Sequence, residues 1–321
     1  MKAMILAAGL GSRMQPLSSL RAKPALPVLN RPLLHWTLER LARHGVTDAV
    51  VNLHHLPDTV TGVVGDGSAF GVRVVYSREC TILGTGGGPR KVRQLLGDEP
   101  FLLVNGDMLF DFDLSRLVAR HRESGALATL ALKPNPDVRT YRPIVTGPDG
   151  WVRWLPGLGR RRRGTASLFT GVHVMDPALL DRLSAGPADS VRDLYAPLIA
   201  EGGRILGVRV AGPWRDLGRP SLYLEAQVHQ LSAGASSRAD RCVVDSSAKL
   251  GRGARLDRSV VGAGAVVGEG ARVVRSVLWA GARIGAGAVV RHTVVTDGGV
   301  VGDDENVTSR VVMSTGRCLL A

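Results

Sequence analysis

Cysteine is nearly missing from this chain of 321 residues. Cys80, Cys242 and Cys318 are odd in number and show no C-x-x-C spacing, which argues against a disulfide framework and a cysteine zinc site. Aromatic residues make up only 4%, and they do not interleave with basic ones as on a single-strand nucleic-acid platform. Long apolar runs are absent too. Phe101-Leu102-Leu103-Val104 falls far short of the roughly 20 residues that cross a bilayer, and the apolar stretch in residues 1–9 is too short for a signal peptide. Lysine is scarce, at 5 of the 41 basic residues. The net charge of +13 is therefore an arginine bias, which a GC-rich genome produces as readily as a binding surface does. No helix-turn-helix spacing accompanies it. The expectation is a soluble, cytoplasmic protein with reduced thiols, without nucleic-acid or membrane partners, and with phosphate-bearing small substrates suiting its charge. The densest basic run, residues 160–163, lies between Gly159 and Gly164 and reads as a solvated loop.

What is present is 45% apolar residues, 40 glycines, and two distinct periodicities. Up to about residue 230, apolar strand patterns (residues 2–8, 48–53, 71–76, 101–104 and 127–132) alternate with helical ones. The clearest helix pattern covers residues 31–44, with Pro32 in its first turn, Leu34, Leu38 and Leu41 on one face, and Gly45 as its stop. Alternation of this kind predicts an α/β fold with a Rossmann-like, doubly wound, mostly parallel sheet that binds ligands at the carboxyl ends of its strands. After Ser236 the pattern changes. Leu250, Val267, Ile284 and Val301 recur every 17 residues, each followed by glycine; Leu256, Val273 and Val290 keep the period, as do Ser259, Ser276 and Thr293. Apolar positions five or six apart within a 17-residue unit predict the coils of a small parallel β-helix with glycine at its corners. The expected domains are residues 1–235 and 236–321, the second a separate folding unit that affects assembly more than chemistry.

The first strand pattern runs into Gly9-Leu10-Gly11-Ser12-Arg13, followed by Lys23-Pro24. A dinucleotide fingerprint would place glycine where Met14 stands, and a Walker A loop would place lysine directly after its last glycine. Neither fits. A glycine loop with exposed N–H groups, one arginine fork and one lysine can wrap a triphosphate. An ordinary turn with two solvated cations is the plainer alternative for G-x-G alone. Asn105-Gly106-Asp107 follows a strand and would be only a turn by itself.

The whole string is more specific. Residues 3–28 resemble the signature of the sugar-1-phosphate nucleotidyltransferases, also called NDP-sugar pyrophosphorylases. Further resemblances follow in order: Gly84-Thr85-Gly86-Gly87, Asn105-Gly106-Asp107, Thr170-Gly171-Val172, Asp193-Leu194-Tyr195, and Trp214-Arg215-Asp216-Leu217-Gly218-Arg219-Pro220. The 17-residue coils resemble the left-handed β-helix that many members append. The resemblance implies an enzyme that makes an NDP-sugar and pyrophosphate from a nucleoside triphosphate and a sugar-1-phosphate, with Mg²⁺. It implies Arg13, Lys23, Asp107 and Asp216 as catalytic, with Asp107 and Asp216 on the metal. Ala7, Ala8, Gly9, Gly11, Ser12, Arg13, Lys23, Thr85, Gly86, Gly87 and Asp107 would bind the nucleotide, and Asn105, Gly171 and Asp193 the sugar. A homo-oligomer formed through the β-helix is expected. The carboxylates have an independent rationale, because two anions must approach each other and a carboxylate-held divalent ion can neutralise them.

The chain departs from the family at three points. Arg219 replaces the usual threonine; no E-K-P occurs near Trp151, where Arg153 is a conceivable substitute; and Ala8 replaces glycine in the opening loop. Ala7-Ala8-Gly9 and the stretch around Asn52 resemble the uridylyl-transferring members, N-acetylmuramate-1-phosphate uridylyltransferase among them. The β-helix is more typical of the mannose-1-phosphate guanylyltransferase and glucose-1-phosphate types. The methyl of Ala8 would narrow the base slot and favour a pyrimidine. Two further readings are a silent regulatory paralogue that binds NDP-sugar and a bifunctional enzyme whose β-helix transfers acyl groups with His292 as base. His54 and His55 have no metal spacing around them and read as strand-end packing or a substrate contact.

Overall fold

The computed structural model describes residues 1–135, 141–160, 162–232 and 241–320. Its contacts divide the chain into one unit of Met1–Leu10 with Leu34–Trp214 and another of Gly11–Leu33 with Arg215–Ala321. This grouping differs from a cut after residue 235, a position outside the described residues. The segment that carries Arg13 and Lys23 is grouped with the coils, because its side chains and backbone bond to the last helix and to coil residues. No helix among the described residues is long and apolar enough to cross a membrane.

The first unit is built on a nine-stranded mixed sheet. Its parallel centre runs Phe101–Asn105, Lys2–Leu6, Asp48–Leu53, Arg73–Arg78, with Leu6 paired to both Asn105 and Asn52. The strand Lys2–Leu6 is buried along its middle and Phe101–Asn105 along nearly its whole length, as strands covered on both faces must be. Thr165–Met175 crosses antiparallel beside Phe101–Asn105 and also pairs with Ala128–Pro134 and Ile144–Thr146. The strand patterns read from sequence therefore hold, with small shifts at their ends. The helix expected over residues 31–44 is Leu33–Arg43, and Gly45 takes the left-handed conformation just beyond it. Pro32 belongs instead to a two-residue antiparallel arm paired with Pro27, since the helix starts only after this hairpin has closed.

In the second unit the 17-residue period becomes three stacks of parallel strands, the arrangement of a left-handed β-helix. Lys249–Leu250, Val266–Val267, Arg283–Ile284 and Val300–Val301 form one stack in the expected register. Val267, Ile284 and Val301 point inward and are buried, whereas Leu250 on the first coil is 47% exposed. Ser259, Ser276 and Thr293 are fully buried and form a ladder. The Ser276 N–H donates to Ser259 Oγ (3.2 Å) and the Thr293 N–H to Ser276 Oγ (3.1 Å). Each hydroxyl donates in turn to the carbonyl two residues before it, so no buried polar group of the ladder is left unsatisfied. At the last coil, Arg317 forks onto Glu305 and reaches the Val300 carbonyl at 3.1 Å.

Corner glycines are enforced by distance. A Cβ on Gly268 would lie 2.5 Å from Ala286 N and 2.6 Å from Gly285 C, both backbone atoms of the next coil, whereas one on Gly302 would meet only the Glu305 carboxylate at 3.5 Å. Gly268→Ala is expected to destabilise the coils by about 1–3 kcal/mol, as overpacking does, and Gly302→Ala to be near neutral. Urea denaturation of the two variants measures the difference. Equal midpoints would show that the coils separate without cost.

Candidate active site

The sheet's parallel centre ends in a cleft of about 190 Å³ whose walls include Ala8, Gly9, Asn52, Thr85, Asn105 and Asp107. Geometry explains their meeting. Lys2–Leu6 and its parallel neighbours finish at the same level, so the chain leaving each strand converges on one crevice. Gly106 lets the turn after its strand fold close against the first strand. Its N–H donates to the Leu6 carbonyl (2.9 Å), and a Cβ there would lie 2.9 Å from the same oxygen. Asp107 follows, half-buried in the cleft wall. Ala7 and Ala8 are buried, at 3% and 4% exposure.

Beneath this crevice runs a buried relay that the sequence reading missed. The Ala7 N–H donates to Asn52 Oδ1 (2.7 Å), Asn52 Nδ2 donates to Glu79 Oε1 (2.8 Å), and Glu79 Oε2 accepts the Leu83 N–H (2.9 Å). Asn52 and Glu79 are 2% and 5% exposed. Only a carboxylate accepts through both of its oxygens and donates through neither, so Glu79 suits its place between two donors. The relay ties the end of the first strand to the start of the glycine helix Gly84–Lys91. His54 Nδ1 contacts the Glu79 carbonyl (2.9 Å), which makes it strand-end packing.

The glycines of that helix admit a second chain segment. The N–H groups of Gly86 and Gly87 reach the Ala188 carbonyl at 2.8 and 3.2 Å. A Cβ on Gly84 or Gly87 would collide with the carbonyl of Ala188 (2.6 Å) or Gly186 (2.2 Å). Thr85 thus faces the cleft, while Gly86 and Gly87 lie behind it with their N–H groups already engaged. Thr85 Oγ1 also donates to Asp189 Oδ2 (3.3 Å) and accepts from the Ser190 N–H (2.8 Å).

Asp189 lines a second cavity of about 530 Å³, with Tyr141, Arg142, Phe169 and Arg192. Phe169 stacks on the buried His173, ring centroids 5.3 Å apart. Among the expected sugar-side residues, Asn105 stands in the first cleft, and Gly171 (φ +79°) lies so close that a Cβ would be 2.6 Å from Asn105 Nδ2. The Asp193 carboxylate is engaged locally. It takes Arg192 through both oxygens (2.6 and 2.7 Å) and the Asp189 N–H (2.7 Å), and the bond from Arg192 first of all holds its pKa down to about 2. Arg153, on the short strand Val152–Trp154, lies 3.7 Å from Asp149 and is not among the residues lining either cavity. Arg161, part of the basic run, lies outside the described residues.

In the second unit Gly11 takes the left-handed conformation (φ +64°), its carbonyl accepting from Ser18 Oγ (2.8 Å) and the Met14 N–H (2.7 Å). Ser12 and Arg13 open the short turn Ser12–Met14, with Arg13 exposed. Lys23, 7% exposed, begins the turn Lys23–Ala25. The Asp216 carboxylate turns back over Gly218, where a Cβ would lie 2.9 Å from Oδ2.

The sequence pattern of the nucleotidyl transferase family matches residues 2–233. The chain belongs to that family. Residues 238–316 match the GMPPB C-terminal domain. An N-acetylmuramate α-1-phosphate uridylyltransferase of Neisseria meningitidis is 38% identical, over 71% of this chain and 97% of its own length. A UTP–glucose-1-phosphate uridylyltransferase of Synechocystis is 33% identical over 70% of this chain, which spans 62% of that relative. A mannose-1-phosphate guanylyltransferase of Mycobacterium tuberculosis is 32% identical over 74% of this chain and 67% of its own. A solved Bacillus anthracis structure, given as a glucose-1-phosphate thymidylyltransferase and holding sucrose, shares the fold. Its TM-score is 0.63 at 20% identity, covering 74% of this chain and 97% of that one. This nucleotidyltransferase therefore sets its Asn105-Gly106-Asp107 turn and its Ala7-Ala8-Gly9 strand end in one crevice, on a fold the family shares.

Proposed function

We propose that this nucleotidyltransferase joins a nucleoside triphosphate to a sugar-1-phosphate, releases pyrophosphate, and favours a pyrimidine nucleotide. The observation that carries the reading is Asp107 in the wall of the same cleft as Ala8, Gly9 and Thr85. A base enclosed by Ala7, Ala8 and Thr85 would bring its phosphates toward Asp107. Arg13 and Lys23 supply an arginine fork and a point charge for the triphosphate and the departing pyrophosphate. The sugar sits on the side of Asn105, Gly171 and the larger cavity, where Arg142 offers a cationic group in place of the missing E-K-P lysine.

Among the described residues no three His, Cys, Asp or Glu side chains gather as a metal cage. Mg²⁺ does not need such a cage, since it keeps several waters and is bound through one or two carboxylates plus substrate phosphates. Asp107 and Asp216 are the carboxylates assigned to it. When bound, the ion neutralises the phosphate charge that otherwise keeps the two substrates apart. Neither aspartate has to remove a proton, because the attacking phosphate is already ionised. We assign the enzyme to the cytoplasm, its three free cysteines reduced, and to a self-association through the coils.

The base preference rests on Ala8, whose methyl stands where glycine would leave more room. One methyl shifts selectivity by about 1–3 kcal/mol, so UTP or dTTP is expected to exceed GTP and ATP in kcat/KM by roughly tenfold with one accepted sugar-1-phosphate. The 32% identity to a mannose-1-phosphate guanylyltransferase over 74% of this chain supports the rival guanylyl reading. A tenfold preference for GTP would establish that rival. No pyrophosphate release with any triphosphate and Mg²⁺ would leave the silent, NDP-sugar-binding reading.

A further inference from the structure

The segment Gly11–Leu33 is pinned by the coil domain at two places. Arg21, two residues before Lys23, extends its guanidinium over the Trp279 ring (5.3 Å to the centroid) and bonds Asp297 Oδ2 through Nη2 (2.7 Å). Trp279 and Asp297 are coil residues. Trp279 is 1% exposed and donates its Nε1–H to the Tyr223 hydroxyl (3.0 Å), which in turn donates to the Pro27 carbonyl. Farther along, Leu29 and Asn30 form the two-residue tip of the hairpin between Pro27–Val28 and Arg31–Pro32, both at positive φ (+50° and +62°). A leucine in that region is strained and persists only where its surroundings over-determine it. Here the Leu29 N–H donates to Gln227 Oε1 (2.9 Å) and Asn30 Nδ2 donates to the Val261 carbonyl of a coil (2.8 Å).

We propose that the coil domain serves triphosphate binding: Trp279 and Asp297, acting through Arg21, are positioning residues for Lys23. The inference rests on the reading of Arg13 and Lys23 as triphosphate contacts. An exposed ion pair alone would carry little weight. This one is only about one-third exposed, it is backed by an aromatic face, and Asp297 Oδ1 is buried without a hydrogen-bond partner, so Arg21 is the carboxylate's counter-charge. A cation held on both an aromatic ring and a carboxylate fixes the backbone at residue 21. The short chain from there to Lys23 transmits that position.

The test uses the full chain, with KM for the triphosphate, KM for the sugar-1-phosphate, kcat and the melting temperature measured for each variant. Asp297→Ala is expected to raise the triphosphate KM several-fold, leaving the sugar-1-phosphate KM and the melting temperature near wild type. Trp279→Phe should raise the same KM and spare the sugar-1-phosphate KM, with a modestly lower melting temperature, because it also removes the buried bond to Tyr223. Arg21→Ala should match Asp297→Ala, the double variant should be no worse than either single one, and Asp297→Glu should recover most of the loss. Arg13→Ala and Lys23→Ala are the controls for the underlying reading. If they leave triphosphate KM and kcat unchanged, the assignment of the loop falls. If they impair the enzyme while Asp297→Ala, Trp279→Phe and Arg21→Ala do not, the positioning role alone is overturned. Equal loss for both substrates together with a lowered melting temperature would also overturn it, by showing a merely structural contact.

Discussion

Asp107→Asn is expected to lower kcat by about 10²–10⁴-fold while the protein folds as before. The magnitude follows from the chemistry assigned to this position. A carboxylate-held divalent ion is worth several kcal/mol of charge stabilisation in the transition state, and each 1.4 kcal/mol is a factor of ten in rate. The amide keeps the shape of the side chain but not its charge. Folding should survive because Asp107 is half-buried in a cleft wall and outside the core, whereas its neighbours Gly106 and Met108 are buried. The loss should fall on kcat more than on the sugar-1-phosphate KM, since the charge matters most where the phosphates meet. Rapid-quench measurement of pyrophosphate release, beside a thermal melt, separates the two effects. Turnover within threefold of wild type at saturating Mg²⁺ would remove Asp107 from the metal site, and the proposed chemistry would lose its best-placed residue.

The second large effect belongs to the relay under the cleft. Asn52→Leu leaves the Ala7 N–H and the Glu79 Oε1 without the partners they have now, in a place where both Asn52 and Glu79 are almost fully buried. An orphaned buried polar group costs about 1–3 kcal/mol, and more if it is charged, so a loss of about 3–5 kcal/mol is expected. For a domain of this size that is a drop of roughly 10 °C in Tm. Activity should fall as well, because Ala7 and the glycine helix are what the relay aligns. Glu79→Gln should cost less, about 1–3 kcal/mol, since an amide can still accept through one atom but turns a donor toward the other N–H. A calorimetric scan of both variants decides the matter. If Asn52→Leu melts like wild type, the relay contributes nothing and Ala7 is held by the sheet alone.

Much of this molecule is legible in one dimension because its determinants are local or periodic. The coil stack follows from 17-residue spacing: the inner coils repeat the demands of their neighbours, an inward branched residue, a corner without a Cβ and a hydroxyl for the buried turn. The crevice is legible for a similar reason. Strand ends of a parallel sheet converge, so Ala7-Ala8-Gly9 and Asn105-Gly106-Asp107, each just after a strand, had to meet. Pro32 shows where such reading stops, because helix-start chemistry looks the same whether the proline opens a helix or closes a hairpin arm in front of it. Gly86 and Gly87 make a similar point, since glycine that admits a ligand and glycine that admits a neighbouring carbonyl are the same letter.

What the sequence determined by itself was the sheet, the coils and the turn carrying Asp107, all set by patterns within a few residues or one repeat. Only the tertiary structure decided that Glu79 sits between Asn52 and Leu83, that Asp193 is committed to Arg192, and that the segment bearing Arg13 and Lys23 is clamped by Trp279 and Asp297. Those partners stand from one to 276 positions apart. Their pairing depends on which buried donor or charge finds a complement once the chain is compact, and no local period encodes that choice.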